Sequence, residues 1–320
     1  MSNVIDSHSG ESFAAYHGDT VEVSRSLPSD SVDFSIFSPP FSSLFVYSAS
    51  DRDMGNVRND DEFFAHYSFL AREQFRVMKP GRLVAAHCML LPASKQHDGF
   101  IGLKDFRGDL IRVYQAAGFT FHSEICIWKD PVVAMQRTKA LGLLYKQLRK
   151  DSTRSRQGVP DYVIVMRKPG DNAVPVEHTD KDFPVEQWQR YASPVWVTRA
   201  GVDEEGMAIC RNPSPSNPDG IDQSDTLQAR SAREHDDERH LCPLQLEVIR
   251  RCVRLWSNPG EIVWSPFMGI GSEGVTAIEM GRRFIGAELK SSYYRQSVAN
   301  LIAAESQSHK QGDLFAASLK

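Results

Sequence analysis

The sequence predicts an α/β protein built on one largely parallel sheet, and three observations carry that expectation. Apolar runs of strand length alternate with segments of helical length. The strand-like runs finish in turns rich in glycine and proline, as buried strands do. The pattern stops near Pro169 and resumes after His235, and neither half supplies a complete doubly wound unit, so a single sheet interrupted by an insertion is expected.

In chain order, residues 12–16 read as a strand ending in His17-Gly18-Asp19, and 32–37 as a strand ending in Ser38-Pro39-Pro40-Phe41. Asn59-Asp60 caps a helix running to about Met78, which Lys79-Pro80-Gly81 stops. A strand over 83–88, a helix over about 109–117 ending at Gly118, a strand over 121–128 and a short apolar run at 162–166 follow. From 169 to 235, 67 residues show little periodicity, and so long a connection is commonly functional or disordered. The pattern returns with a helix over 244–256, a strand over 261–264, a glycine turn, a helix over 273–280, a strand over 283–287 and a closing helix.

Composition excludes several classes. At 320 residues, 41% hydrophobic and 24% charged, the chain is a soluble globular one rather than a disordered one. Its longest uncharged stretch, 34–50, holds six serines and two prolines and is no membrane helix. Residues 1–10 carry neither a basic lead nor an apolar core, which makes a cytoplasmic location the expectation. Five cysteines with no Cys-x-x-Cys pair argue against a disulfide framework and against a zinc site, so no metal is expected. The net charge of −4 hides an asymmetry: residues 137–168 hold nine basic residues against Asp151 and Asp161, a local net of +7. Such a concentration is the footprint of phosphate binding, or else a solvated helix and loop.

Two turns carry chemistry. Trp264-Ser-Pro-Phe267-Met-Gly269-Ile-Gly271-Ser-Glu-Gly274 lies between a strand and a helix, where glycines let the backbone approach a ligand and the helix N-terminus offers unpaired amides. Glu288, 19 residues beyond Gly269 at the end of the next strand, is placed to accept both hydroxyls of a ribose. Together they suggest a nucleoside cofactor, against the plainer reading of a tight turn and a surface glutamate. Ser38-Pro39-Pro40-Phe41 is more specific. Two successive prolines hold Ser38 Oγ and the Pro39 carbonyl rigidly beyond a strand end, as a pair of acceptors. The exocyclic amine of a nucleobase is a poor nucleophile because its lone pair is delocalised into the ring. Two acceptors on its hydrogens draw it toward tetrahedral geometry, and Phe41 can stack on the base.

These residues and their order resemble the S-adenosylmethionine-dependent DNA amino-methyltransferases of the permuted beta class. Ser-Pro-Pro-Phe resembles the family's catalytic motif, and Ser-Pro-Phe-Met-Gly-Ile-Gly, following it in the chain, resembles its cofactor loop. His240-Leu-Cys-Pro-Leu-Gln245 is similar to the element flanking the cofactor's methionine end, His17-Gly18-Asp19 to the turn contacting adenine, and Ile127-Trp128-Lys129 to a late strand. Two positions depart: Ser265 stands where the family usually has aspartate, and Ser272-Glu273 where small residues and threonines are common. The resemblance covers most of the chain outside 169–235.

It implies a Rossmann-like methyltransferase fold, a mixed seven-stranded sheet with helices on both faces and a circularly permuted motif order. Ser38 and Pro39 would orient the amine of a flipped base, Pro40 stiffen the turn and Phe41 stack on the base. Asp19 and Glu288 would take the adenosine end of S-adenosylmethionine, Phe267, Gly269 and Gly271 would form its wall and turn, and His240 would lie near the methionine end. Residues 1–168 and 236–320 form one methyltransferase domain, with Arg137, Lys139, Lys146, Arg149, Lys150, Arg154 and Arg156 on DNA and 169–235 as an irregular target-recognition insertion. The implied partners are double-stranded DNA and a second copy of the chain. For the acceptor base, serine in the tetrad resembles the cytosine-N4 members, whereas the layout continuing into Asp51-Arg-Asp-Met-Gly55-Asn, without a nuclease motif, resembles solitary or prophage enzymes that often act on adenine. N6 of adenine is the expectation and N4 of cytosine the alternative; an RNA methyltransferase or a catalytically impaired DNA-binding protein is the more distant one.

Overall fold

The computed structural model describes residues 4–42, 54–129, 131, 145–155, 157–198, 220–227 and 243–318. Strand β1 (Val4–Ser9) pairs with β2 (Phe13–Gly18), and α1 (Thr20–Ser26) leads to β3 (Val32–Phe37). Helix α2 (Asp60–Val77) precedes β4 (Met78–Met89). A small hairpin, β5 (Leu91–Ala93) and β6 (Gly102–Lys104) around α3 (Lys95–Asp98), then precedes α4 (Phe106–Ala116) and β7 (Thr120–Trp128). Next come α5 (Tyr145–Lys150), β8 (Asp161–Arg167), α6 (Val185–Tyr191) and β9 (Val195–Val197). The last part holds α7 (Leu246–Trp256), β10 (Ile262–Ser265), α8 (Ser272–Glu279), β11 (Arg283–Glu288) and α9 (Ser291–Ser318).

Helix α2 shows how sequence becomes placement. The Asn59 side chain accepts the Glu62 N–H at 2.9 Å, and Asp60, Asp61 and Glu62 put negative charge at the helix start. Phe63, Tyr67, Leu70, Ala71, Gln74 and Val77 then recur at helical spacing and are buried. Tyr114 Oη donates to Gln74 Oε1 at 2.6 Å and Gln74 Nε2 donates to Ser35 Oγ at 3.3 Å. Ser35 Oγ in turn donates to the Trp264 carbonyl at 2.9 Å. This buried chain ties α4, α2, β3 and β10 together, and every polar group in it is paired.

The main sheet has the order β1-β2-β11-β10-β3-β4-β8-β7-β9. From β2 to β4 all neighbours run parallel, while β8 is antiparallel to both β4 and β7. The seven strands β2 to β7 in that order make the mixed sheet the resemblance implied. One strand is added at each edge, β1 antiparallel to β2 and β9 parallel to β7. Helices cover both faces. Phe34, Ile36, Val163 and Val165 pack with residues of α7, α8 and α9; Val84, Ala86, Ile164 and Met166 pack with residues of α1, α2 and α4. Alternate residues of one strand thus serve two cores, the period-2 consequence of a sheet buried on both sides.

The segment read as irregular begins with structure. Trp196 of β9 is buried, its Nε1 donates to the Tyr191 carbonyl at 3.1 Å, and the Arg251 guanidinium of α7 lies 5.0 Å from the Tyr191 ring and 5.2 Å from the Trp196 ring. The first part of the insertion is therefore clamped to the sheet edge and to α7. Among the described residues no helix is long and apolar enough to cross a membrane, and Cys88, Cys126 and Cys252 are free thiols.

Candidate active site

Strands β10 and β3 are parallel neighbours whose chains leave in opposite directions, β10 through α8 to β11 and β3 through α2 to β4. The carboxyl ends of strands at such a reversal open a crevice suited to ligands. Both turns singled out in the sequence end there. Pro39 and Pro40 are buried and Ser38 is half-buried. Phe41 is half-buried, with its ring edge-on to Phe106 at 6.0 Å. Ser42 adopts a left-handed φ of 52° and its hydroxyl donates to Asp60 in the first turn of α2, which fixes the exit of the turn.

Behind Ser38 stands a chain of polar groups that the sequence did not reveal. Ser38 Oγ lies 3.1 Å from His87 Nδ1 and 3.4 Å from the His87 carbonyl oxygen; His87 Nε2 lies 3.0 Å from Asp161 Oδ2, and the Lys129 ammonium contacts the same carboxylate oxygen. His87 and Asp161 are both buried. Burial alone would raise the Asp161 carboxyl, but the Lys129 ammonium and His87 outweigh it and hold that carboxyl below its ordinary range. The three residues come from β4, β8 and the end of β7; Asp161 is opposite Met89, two residues beyond His87, and opposite Ile127, two residues before Lys129. No spacing rule could have joined positions 87, 129 and 161.

On the cofactor side, Gly269 (φ 53°) and Gly271 (φ 92°) are both left-handed, and a Cβ at Gly269 would meet open space rather than protein. The Gly269 N–H donates to Glu288 Oε2 at 2.9 Å and the Lys290 N–H to Oε1 at 2.8 Å, so Glu288 braces the loop while its oxygens keep further acceptor capacity. Phe267 packs against Phe37 at 5.9 Å and parallel to Tyr67 at 6.4 Å. Asp19 caps α1, accepting the Val21 and Glu22 N–H groups at 2.9 and 3.0 Å. It sits one residue past β2, whose His17 pairs with Glu288, so both carboxylates belong to the same sheet edge. The hydroxyls of Ser265 and Ser272 are buried without a partner in the chain. Two orphaned hydroxyls flanking an open glycine turn fit a polar ligand such as the amino-acid end of S-adenosylmethionine. His240 lies outside the described residues. Among the described residues no cluster of three or more histidine, cysteine, aspartate or glutamate side chains is arranged to hold a metal ion.

The DNA methylase family model matches residues 32–299. The chain belongs to that family. It is 37% identical over 67 residues to the DNA adenine methyltransferase YhdJ of Escherichia coli (21% of this chain, 23% of that one) and 36% identical over 58 residues to the type II methyltransferase M1.MboII of Moraxella bovis (18% and 22%). The matched stretches thus span less than a quarter of the length of these two curated relatives. Its fold is similar to that of the putative DNA modification methylase TTHA0409 of Thermus thermophilus complexed with S-adenosyl-L-methionine, with a TM-score of 0.62 at 21% identity over 90% of this chain and 92% of that one. It is likewise similar to the cytosine-N4-specific PvuII DNA methyltransferase, with a TM-score of 0.59 at 15% identity over 93% and 90%.

The two departures noted above have a physical form. Ser265 is fully buried, and Glu273 in the first turn of α8 is so enclosed that burial, with a smaller push from Glu288, raises its carboxyl to about 8. The basic segment divides. Lys146, Arg149, Lys150 and Arg154 are exposed on α5 and the turn after it, with the Arg149 guanidinium 5.4 Å from the Tyr145 ring centre. Lys168 instead is buried at the opposite end of β8, bonded to Asp30 at 2.7 Å and to the Met78 carbonyl at 2.8 Å. Arg137, Lys139 and Arg156 lie outside the described residues.

Proposed function

We propose that the chain transfers a methyl group from S-adenosylmethionine to the exocyclic amine of a flipped base in double-stranded DNA, acting as a homodimer in a bacterial cytoplasm. The observation that carries this reading is the convergence of the Ser38–Phe41 turn and the Gly269–Gly271 turn on the crevice between β3 and β10. When bound, the cofactor would supply an electrophilic methyl on a sulfur able to leave with the bonding electrons. The protein's share is binding and aim. Glu288 would take the ribose hydroxyls and Asp19 the adenine side of the adenosine end, Phe267 would form its wall, and Ser265 and Ser272 would meet the amino-acid end. Ser38 Oγ and the Pro39 carbonyl accept the two amine hydrogens, Pro40 keeps that carbonyl from turning, and Phe41 stacks on the base. The base must leave the duplex because its amine is otherwise engaged in pairing. Lys146, Arg149, Lys150 and Arg154 on their exposed turn, with Arg137, Lys139 and Arg156, would meet phosphates.

N6 of adenine is the favoured acceptor, supported by the sequence match to an adenine methyltransferase; N4 of cytosine has on its side the serine of the tetrad and the fold likeness to a cytosine-N4-specific enzyme. The test is transfer of a labelled methyl to duplex DNA in competition with RNA, followed by mass spectrometry of the nucleosides. N6-methyladenine is expected, N4-methylcytosine would move the acceptor, and absence of label from DNA would overturn the function. The homodimer rests on the family resemblance; light scattering showing only a 36.0 kDa species would remove it.

A further inference from the structure

We propose that His87, oriented by Asp161 and Lys129, turns the Ser38 hydroxyl into an acceptor and takes up through it the proton that methyl transfer releases. The inference rests on the methyl-transfer reading above and adds a positioning residue to it. An ionised carboxylate only accepts hydrogen bonds, and Asp161 Oδ2 lies 3.0 Å from His87 Nε2, so Nε2 carries the ring hydrogen. With its hydrogen on Nε2, His87 presents Nδ1 as an acceptor 3.1 Å from Ser38 Oγ. The second group within reach of Ser38, the His87 carbonyl at 3.4 Å, is also an acceptor. The Ser38 hydrogen points inward in either case, and its lone pairs face outward toward an amine. A serine on its own is indifferent between donating and accepting; this network removes the choice.

The same network disposes of the proton. After alkylation the amine nitrogen holds one hydrogen too many. Its N–H bond breaks toward Ser38 Oγ while the Ser38 O–H bond breaks toward His87 Nδ1. The hydroxyl is regenerated, the methylated amine leaves neutral, and the imidazole carries the proton until water takes it. Asp161, with Lys129 on its other side, holds the imidazolium in place. Among the described residues Asp161 of β8 is the charged group in contact with His87, and Lys129 at the end of β7 contacts Asp161; Arg107, Glu124 and Asp105 act on the neighbouring Cys88.

His87→Asn keeps an acceptor near the Nδ1 position and removes the base, whereas Asp161→Asn puts an amide donor against Nε2 and drives the ring to the opposite tautomer. Histidine-selective ¹⁵N spectra of the protein without cofactor should show His87 protonated at Nε2 in the wild type and at Nδ1 in Asp161→Asn. In single turnover with saturating S-adenosylmethionine and DNA, both variants should be slower by about 100-fold. The fall of the wild-type rate toward acid pH should be absent from His87→Asn, and thermal midpoints and both dissociation constants should stay close to wild type. Wild-type protonation at Nδ1, a His87→Asn rate and pH profile like wild type, or a loss of affinity matching the loss of rate would each overturn the relay. Absence of transfer by the wild type would sink the methyltransferase reading and the relay with it, while wild-type transfer with an unaltered His87→Asn profile sinks the relay alone.

Discussion

Glu273 carries a proton at neutral pH, and the consequence for stability has a definite sign. Its ordinary value is 4.5 and burial raises it to about 8, so between those limits the folded chain holds a proton that the unfolded chain has lost. Stability therefore falls as pH rises through that window and levels off above it. Glu273→Gln removes the titration: its thermal midpoint should exceed that of the wild type at pH 8 and approach it at pH 5. A gap of equal size at both values would contradict the assignment. Glu288 makes a different prediction, because its two oxygens hold the Gly269 and Lys290 amides as well as facing the proposed ribose site. Glu288→Ala should weaken S-adenosylmethionine binding by about 1.5 to 3 kcal/mol in calorimetry while DNA affinity changes less. An unchanged cofactor dissociation constant removes Glu288 from the site.

At the scale of elements, the exposed charge of α5 and the turn after it is the surface on which DNA affinity depends. Reversing Lys146, Arg149 and Arg154 together should weaken DNA binding and flatten its dependence on salt, since each lost phosphate contact removes about one unit from the logarithmic slope. A slope equal to that of the wild type would move the DNA surface elsewhere. Elements marked by local chemistry were legible in the sequence: the Asn59 cap, the Ser38-Pro39-Pro40 strand end and the Gly269–Gly271 turn all stand where they were expected. Elements defined by distant partners were not. The apolar run of β8 carries no mark of its antiparallel direction, and the three residues of β9 are a strand because Trp196 meets Arg251 and because β7 offers a free edge. Helix α1 escaped notice because its apolar face is short, although Asp19 caps it in the ordinary way.

For the whole molecule, the sheet order converts a linear sequence of motifs into one site. Ser38 and Gly269 are far apart in the chain, and the strands that lead to their turns become neighbours because β10 inserts beside β3, with Val263 level with Phe34 and Trp264 with Ser35. The His87–Asp161–Lys129 network arises in the same way, and it stayed hidden in the sequence because its members lie on three strands whose register only the folded sheet defines. The most direct test of the account is modification-sensitive sequencing of DNA from cells expressing the wild type or Pro39→Ala, a variant that misaims one acceptor while leaving the cofactor turn intact. Wild-type DNA should carry a methylated exocyclic amine at one short recurring sequence, and the mark should be sharply reduced with the variant. Unmodified DNA in cells containing folded wild-type protein, or equal modification by Pro39→Ala, would contradict it.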